Sequence, residues 1–231
     1  MKLKILQLVN SAFFGYCRHI SSPAQAVELL GLETVKALVL SAKIFSQMDR
    51  SSMTVLAMDR IWAHRLATGV FAKTIATAEK CERAVADDAF MAGMLHDVGK
   101  LILAVNLPKQ YKEALAGPRG NGASVLEAER QAFGVTHAEV GAYLLSLWGL
   151  PFPIVEAVAF HHVPGRCPQK KMGPLTAVHV GNCQEYAING QEDDKCQIDA
   201  AYLNELKILP RIPPWQALCR QAIKEGDVHD D

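Results

Sequence analysis

The sequence predicts an all-α protein. Apolar residues recur with helical period along almost every segment, no stretch alternates as a strand would, and cap and stop signals punctuate the periodic runs. The chain has 231 residues, half of them apolar and 21% charged, enough to bury a core in one large helical domain or a domain with a smaller appendage. Lys+Arg and Asp+Glu balance at 24 each, so no net field draws nucleic acid or an acidic membrane surface.

The first residues, MKLKILQLVNSAFFGYC, place Leu3, Leu6, Val9 and Phe13 between polar Lys4, Gln7, Asn10 and Ser11. That is a helix face and not the continuous apolar run of a signal peptide. Ser22-Pro23-Ala24-Gln25 reads as a capping box opening a short helix that Gly31 ends. A helix follows from about Glu33 to Met48, then one from about Thr54 to Glu79. The next is expected over about Asp87 to Val105, with Asp87 and Asp88 favoured at its start by the helix dipole. Pro108 opens a helix through Ala116, and Gly117 to Gly122 is loop.

Further helices are expected over 124–133, 136–148, 151–162 and 174–189. Two short ones should flank Pro210 to Pro214 within 199–225, followed by a frayed tail from Gly226. The organisation is therefore an N-terminal helical portion (1–50), a central bundle (51–190) and C-terminal helices with a tail (191–231). No apolar run reaches the roughly 18–20 residues of a membrane span. Cys17, Cys81, Cys167, Cys183, Cys196 and Cys219 are scattered without a CxxC pair, which fits reduced thiols in a cytoplasmic protein.

The chemistry concentrates in Leu95-His96-Asp97-Val98-Gly99-Lys100. An adjacent His-Asp pair in an apolar segment is costly unless something satisfies both groups. Imidazole and carboxylate together suit Mn²⁺, Fe²⁺ or Zn²⁺. Gly99 permits close approach of another backbone or a ligand, and Lys100 adds a cation one turn from His96. His64, His137 and the pair His161-His162 lie at other helix positions from which they can share a polar pocket with His96 and Asp97. Trp62, Trp148 and Trp215 read as core, Glu192-Asp193-Asp194 as a solvated turn without calcium-loop spacing, and Lys170-Lys171 as too small a basic cluster for nucleic acid.

The segments LQLVNSAFFG (6–15), SPAQAVELLG (22–31) and VKALVLS (35–41) resemble the HDOD family of bacterial signalling domains. So do AFMAGMLHDVGKLIL (89–103), THAEVGAYLLSLWGLP (136–151) and VEAVAFHH (155–162), for a resemblance covering about residues 3–190. His64 followed by His96-Asp97 also resembles the opening of the HD phosphohydrolase signature.

The resemblance implies an HD-like helical bundle whose N-terminal HDOD-type portion is truncated, with an upstream receiver or kinase-type domain as partner. It implies one or two divalent ions held by His64, His96, Asp97, His137, His161 and His162, with Asp97 bridging and Lys100 on a substrate phosphate. The closing Asp of the signature falls at Asn182, a poorer ligand, with His179 one turn earlier as a substitute or a packing residue. There is no GYP motif. The implied function is a signalling module that acts through partner binding. The alternative is a metal-dependent phosphohydrolase or phosphodiesterase acting on nucleotides or cyclic dinucleotides, with Asp97 and Lys100 as its catalytic residues.

Overall fold

The computed structural model describes residues 23–30, 32, 35, 39, 55–116, 124–190 and 196–227. Among them the elements are helices, without strands. In chain order they are α1 (Pro23–Leu30), α2 (Val55–Ala78), α3 (Arg83–Leu95), α4 (Val98–Asn106), α5 (Pro108–Ala116) and α6 (Val125–Phe133). These are followed by α7 (His137–Leu147), α8 (Phe152–Phe160), α9 (Pro174–Ile188), α10 (Ala200–Glu205) and α11 (Ile212–Asp227). Short 3₁₀ turns lie at Pro164–Arg166 and Leu209–Arg211. The expected N-terminal helix face of Leu3, Leu6, Val9 and Phe13, the Gly117 to Gly122 loop, the Glu192-Asp193-Asp194 turn and most of the 33–48 helix fall outside the described residues.

α2 is the central strut, packed along α3, α9 and α11. It and α3 approach closely because neither carries a side chain at the crossing: a Cβ on Gly93 would lie 2.6 Å from Gly69 Cα. Phe71, Ile75, Phe90, Met94, Leu95, Leu145, Ile154, Val158, Val178 and Trp215 are buried in one core. Burial of such side chains is the main driving force of the fold, at roughly 1.5–3 kcal/mol each.

Local signals act where the sequence places them. Ser124 and Glu127 form a reciprocal capping box at the start of α6, and Thr136 and Glu139 form another at the start of α7. Gly134 ends α6 in the left-handed conformation, φ 73°. Pro213 and Pro214 sit in the first turn of α11, where missing N–H groups cost nothing.

Four expectations are corrected. The single helix over Asp87 to Val105 is two helices, α3 and α4, broken at His96 and Asp97, because Asp97 leaves helical geometry at φ −101°, ψ 14°. α3 starts at Arg83, so Asp87 lies within it and pairs instead with Lys73 at 2.7 Å. Trp148 is 46% exposed rather than core, since it caps the C-terminus of α7. Finally, Cys183 and Cys196 are joined as a disulfide, while Cys81, Cys167 and Cys219 are free. Among the described residues no single helix is long and apolar enough to cross a membrane.

Candidate metal centre

The break between α3 and α4 turns His96 and Asp97 inward together. His96 is the last cap residue of α3 and Asp97 the N-cap of α4, and both are buried. α4 then lies against the start of α7, an approach Gly99 makes possible: a Cβ there would come 1.8 Å from His137 O. This crossing brings His137, the first residue of α7, over Asp97. His161 caps the end of α8 and His162 follows it. His64 comes from the middle of α2.

Each carboxylate oxygen of Asp97 faces its own imidazole set. Oδ2 lies 3.5 Å from His96 Nε2 and 3.8 Å from His64 Nε2. Oδ1 lies 3.3 Å from His137 Nε2 and 3.7 Å from His161 Nε2. His162 Nε2 completes the second set, 3.1 Å from His137 Nε2. Within each set, His64/His96/Asp97 and Asp97/His137/His161/His162, one ligand atom per residue lies within 4.8 Å of the others.

Hydrogen bonds on the far side of the rings fix their orientation. His96 Nδ1 donates to Gly93 O at 2.7 Å and His161 Nδ1 to Val158 O at 2.8 Å. His137 Nδ1 donates to Glu129 Oε2 at 2.7 Å, and His64 Nδ1 to Glu185 Oε2. With the proton on Nδ1, each Nε2 presents a lone pair. The 3.2 Å gap between His64 Nε2 and His96 Nε2 is then acceptor against acceptor, as is the gap between His137 Nε2 and Asp97 Oδ1. Asp97 Oδ1 and His161 Nε2 are buried without a hydrogen-bond partner. Acceptors converging in this way offer lone pairs to a cation, so these residues fit the divalent ions that the donor set suits.

The electrostatics agree. Burial pulls the His96 and His162 imidazoles well below their ordinary range, and His161 below it too. The rings therefore stay neutral and available as ligands. Burial opposes the charge on Asp97, but the Lys100 ammonium against its Oδ2 favours the charged form, and the carboxyl is held well below the usual range. Lys100 Nζ lies 2.7 Å from Asp97 Oδ2. Beneath them, buried Arg65 donates from Nε to Met94 O at 2.7 Å, and burial lowers its guanidinium to about 10.

The structure thus gathers His64, His96, Asp97, Lys100, His137, His161 and His162 at one place. Asn182, on α9, is buried, and its Nδ2 lies 3.5 Å from Cys196 Sγ. The α9 carboxylate that reaches the imidazoles is Glu185, one turn further on. His179 uses both nitrogens on backbone: Nδ1 donates to His161 O at 2.8 Å, and Nε2 accepts from Asp199 N at 2.9 Å. Glu129 and Glu185 carry no motif of their own. The only sequence clue to Glu185 is its place three residues after Asn182, on the same face of the helix.

A cavity of about 660 Å³ opens onto the His64 side of Asp97, lined among others by Arg60, His64, Asp97, Lys100, Tyr111 and Tyr186. Tyr186 tilts against His64, with ring centroids 4.9 Å apart.

Comparison with known proteins finds relatives in sequence and in fold. An uncharacterized protein of Treponema pallidum is 27% identical over 192 residues, 81% of this chain, and the chain spans 36% of that relative's length. A phosphohydrolase-like protein from Shewanella amazonensis has a solved structure with a TM-score of 0.70 at 21% identity, covering 96% of this chain and 78% of that one. The MmoQ response regulator from Methylococcus capsulatus gives a TM-score of 0.50 at 24% identity, covering 91% and 82%. Residues 1–164 match the HDOD domain family over most of the chain's length. With the all-helical bundle and the His-Asp cluster at its centre, the chain belongs to the HDOD domain family.

Proposed function

We propose that this chain is a signalling module built around a divalent metal centre, in which His64, His96, Asp97, His137, His161 and His162 would hold one or two ions. The observation that carries this reading is the division of Asp97: Oδ2 toward His64 and His96, Oδ1 toward His137 and His161. The likeness in fold to a response regulator supports a signalling role, exercised through partner proteins such as a receiver or kinase-type domain.

A second reading, metal-dependent phosphoester hydrolysis, is favoured by the cavity that reaches Asp97 and Lys100. Ions held at the centre would supply Lewis acidity to a phosphoryl oxygen. The chain's own residues would do the rest. Lys100 and Arg60 present cations to a phosphate, Tyr186 walls the cavity beside His64, and Glu185 and Glu129 keep the imidazoles oriented.

Metal analysis of the purified chain tests the first reading: up to two ions per chain are expected, and none in Asp97→Ala. A wild-type chain that holds no divalent metal overturns it. Turnover of a phosphomonoester and a cyclic dinucleotide by the loaded chain, lost in Lys100→Met with metal retained, would establish the second reading. Metal without turnover across a broad panel would remove it.

A further inference from the structure

The stretch leading into α10 is tied to α9 by two separate links. The disulfide joins Cys196 to Cys183 across a sequence separation of 13. Three residues on, Asp199 donates its N–H to His179 Nε2 at 2.9 Å and caps α10 by accepting from Tyr202 N. His179 Nδ1 donates to His161 O at 2.8 Å. One covalent bond and two hydrogen bonds therefore run from the sulfur pair to the backbone of an imidazole that faces Asp97. On the other side, Cys183 stands two residues before Glu185, which orients His64. Both imidazole sets are thus connected to the pair through α9. Cys183 is buried and Cys196 is partly exposed, so a small thiol or disulfide meets Cys196 first.

We propose that Cys183 and Cys196 form a redox latch that sets the geometry of the metal centre through His179. In the latching direction the Cys196 thiolate attacks a small-molecule disulfide of the glutathione type and releases one thiol. The Cys183 thiolate then displaces the second. Two protons and two electrons leave the protein pair, one S–S bond forms in the chain, and the S–S bond of the small molecule becomes two thiols. A dithiol reverses the sequence. In the unlatched state Cys196 loses its covalent hold, and the Asp199 to His179 contact opens as part of a local fluctuation. His161 O then loses a fixed donor, and the ring it carries loses orientation.

The test uses the full chain equilibrated with glutathione disulfide or with a phosphine reductant. Peptide mapping should find the Cys183–Cys196 link only in the oxidised sample. Hydrogen exchange at the Asp199 amide should quicken on reduction. Affinity for Zn²⁺, read by competition with a chromogenic chelator, should weaken about tenfold, the low end of effects from lost supporting contacts. The double variant Cys183→Ser/Cys196→Ser should behave as the reduced protein in both buffers, with Cys183→Ala as a second check. His179→Gln should still form the disulfide yet bind Zn²⁺ weakly in both states. Unchanged Asp199 exchange on reduction, or a redox response that persists in the double variant, overturns the proposal. The Zn²⁺ arm rests on the metal-centre reading. If neither state binds Zn²⁺, that reading fails, while Asp199 exchange still decides on the latch.

Discussion

Glu129 Oε2 accepts two hydrogen bonds from one residue, His137: the backbone N–H at 2.8 Å and the ring Nδ1–H at 2.7 Å. Its other oxygen accepts from Tyr111 O–H at 3.0 Å, and the whole carboxylate is buried. The residue that opens α7 is therefore held in backbone and ring by the same group. Glu129→Ala would leave both donors of His137 and the Tyr111 hydroxyl without partners. A loss of about 2–4 kcal/mol is expected by urea denaturation, with metal affinity reduced about 10–100-fold by chelator competition. A variant with unchanged stability would show that this carboxylate has no positioning role.

The two imidazole sets should be separable. His64→Ala removes a ligand on the Oδ2 side alone, and His137→Ala one on the Oδ1 side alone. Metal analysis should find each variant reduced toward a single ion, whereas Asp97→Ala loses both. If His64→Ala empties the centre entirely, the sets are not independent binding places.

Acid should destabilise the metal-free chain in two stages. Burial keeps His96, His161 and His162 below their ordinary range, so the unfolded chain takes up protons first as pH drops through about 6.5. Their stabilisation is complete above that pH and falls away below it. Asp97, held well below the usual carboxylate range, keeps its contribution until the unfolded carboxyl begins to protonate, near about 4, and loses it at lower pH. Urea midpoints of the metal-free chain, measured from about pH 8 down to about pH 4.5, should fall below about 6.5. A flat profile would contradict buried neutral imidazoles.

Gly99→Ala tests the crossing that creates the site. The new methyl would meet backbone, His137 O at 1.8 Å, which no rotamer change can relieve. Overpacking of this kind typically costs 1–3 kcal/mol, and a backbone collision should lie at or above the top of that range, about 3 kcal/mol. Metal content should fall alongside stability, because α7 must shift and carries His137 with it.

Much of this was legible in the sequence for physical reasons that can be named. The helices expected over 124–133 and 136–148 show in their apolar period, and the capping boxes at Ser124 and Thr136, which act over three or four residues, fix where α6 and α7 begin. The His-Asp pair at 96–97 stood out because charge within an apolar run demands a partner. What the pattern could not show was that this same pair breaks its helix. Periodicity continues across 83–106, and the interruption comes from backbone geometry at Asp97. Glu129 and Glu185 were illegible because they act through rings 8 and 121 residues away. Asn182 was read from its place in a motif, whereas the α9 side chain that reaches His64 lies one turn along. The Cys183–Cys196 pairing likewise depends on how α9 and the approach to α10 meet, which spacing alone does not encode.

Sharing a single carboxylate between two imidazole sets has a consequence for filling order. In the proposed centre, an ion held on one side of Asp97 would draw on the carboxylate and place positive charge close to the other set. The sets also differ in donor number, with two imidazoles on the Oδ2 side and three on the Oδ1 side. Occupancy should therefore be staggered, with the three-imidazole side filling at low metal concentration and the side open to the cavity filling only as supply rises.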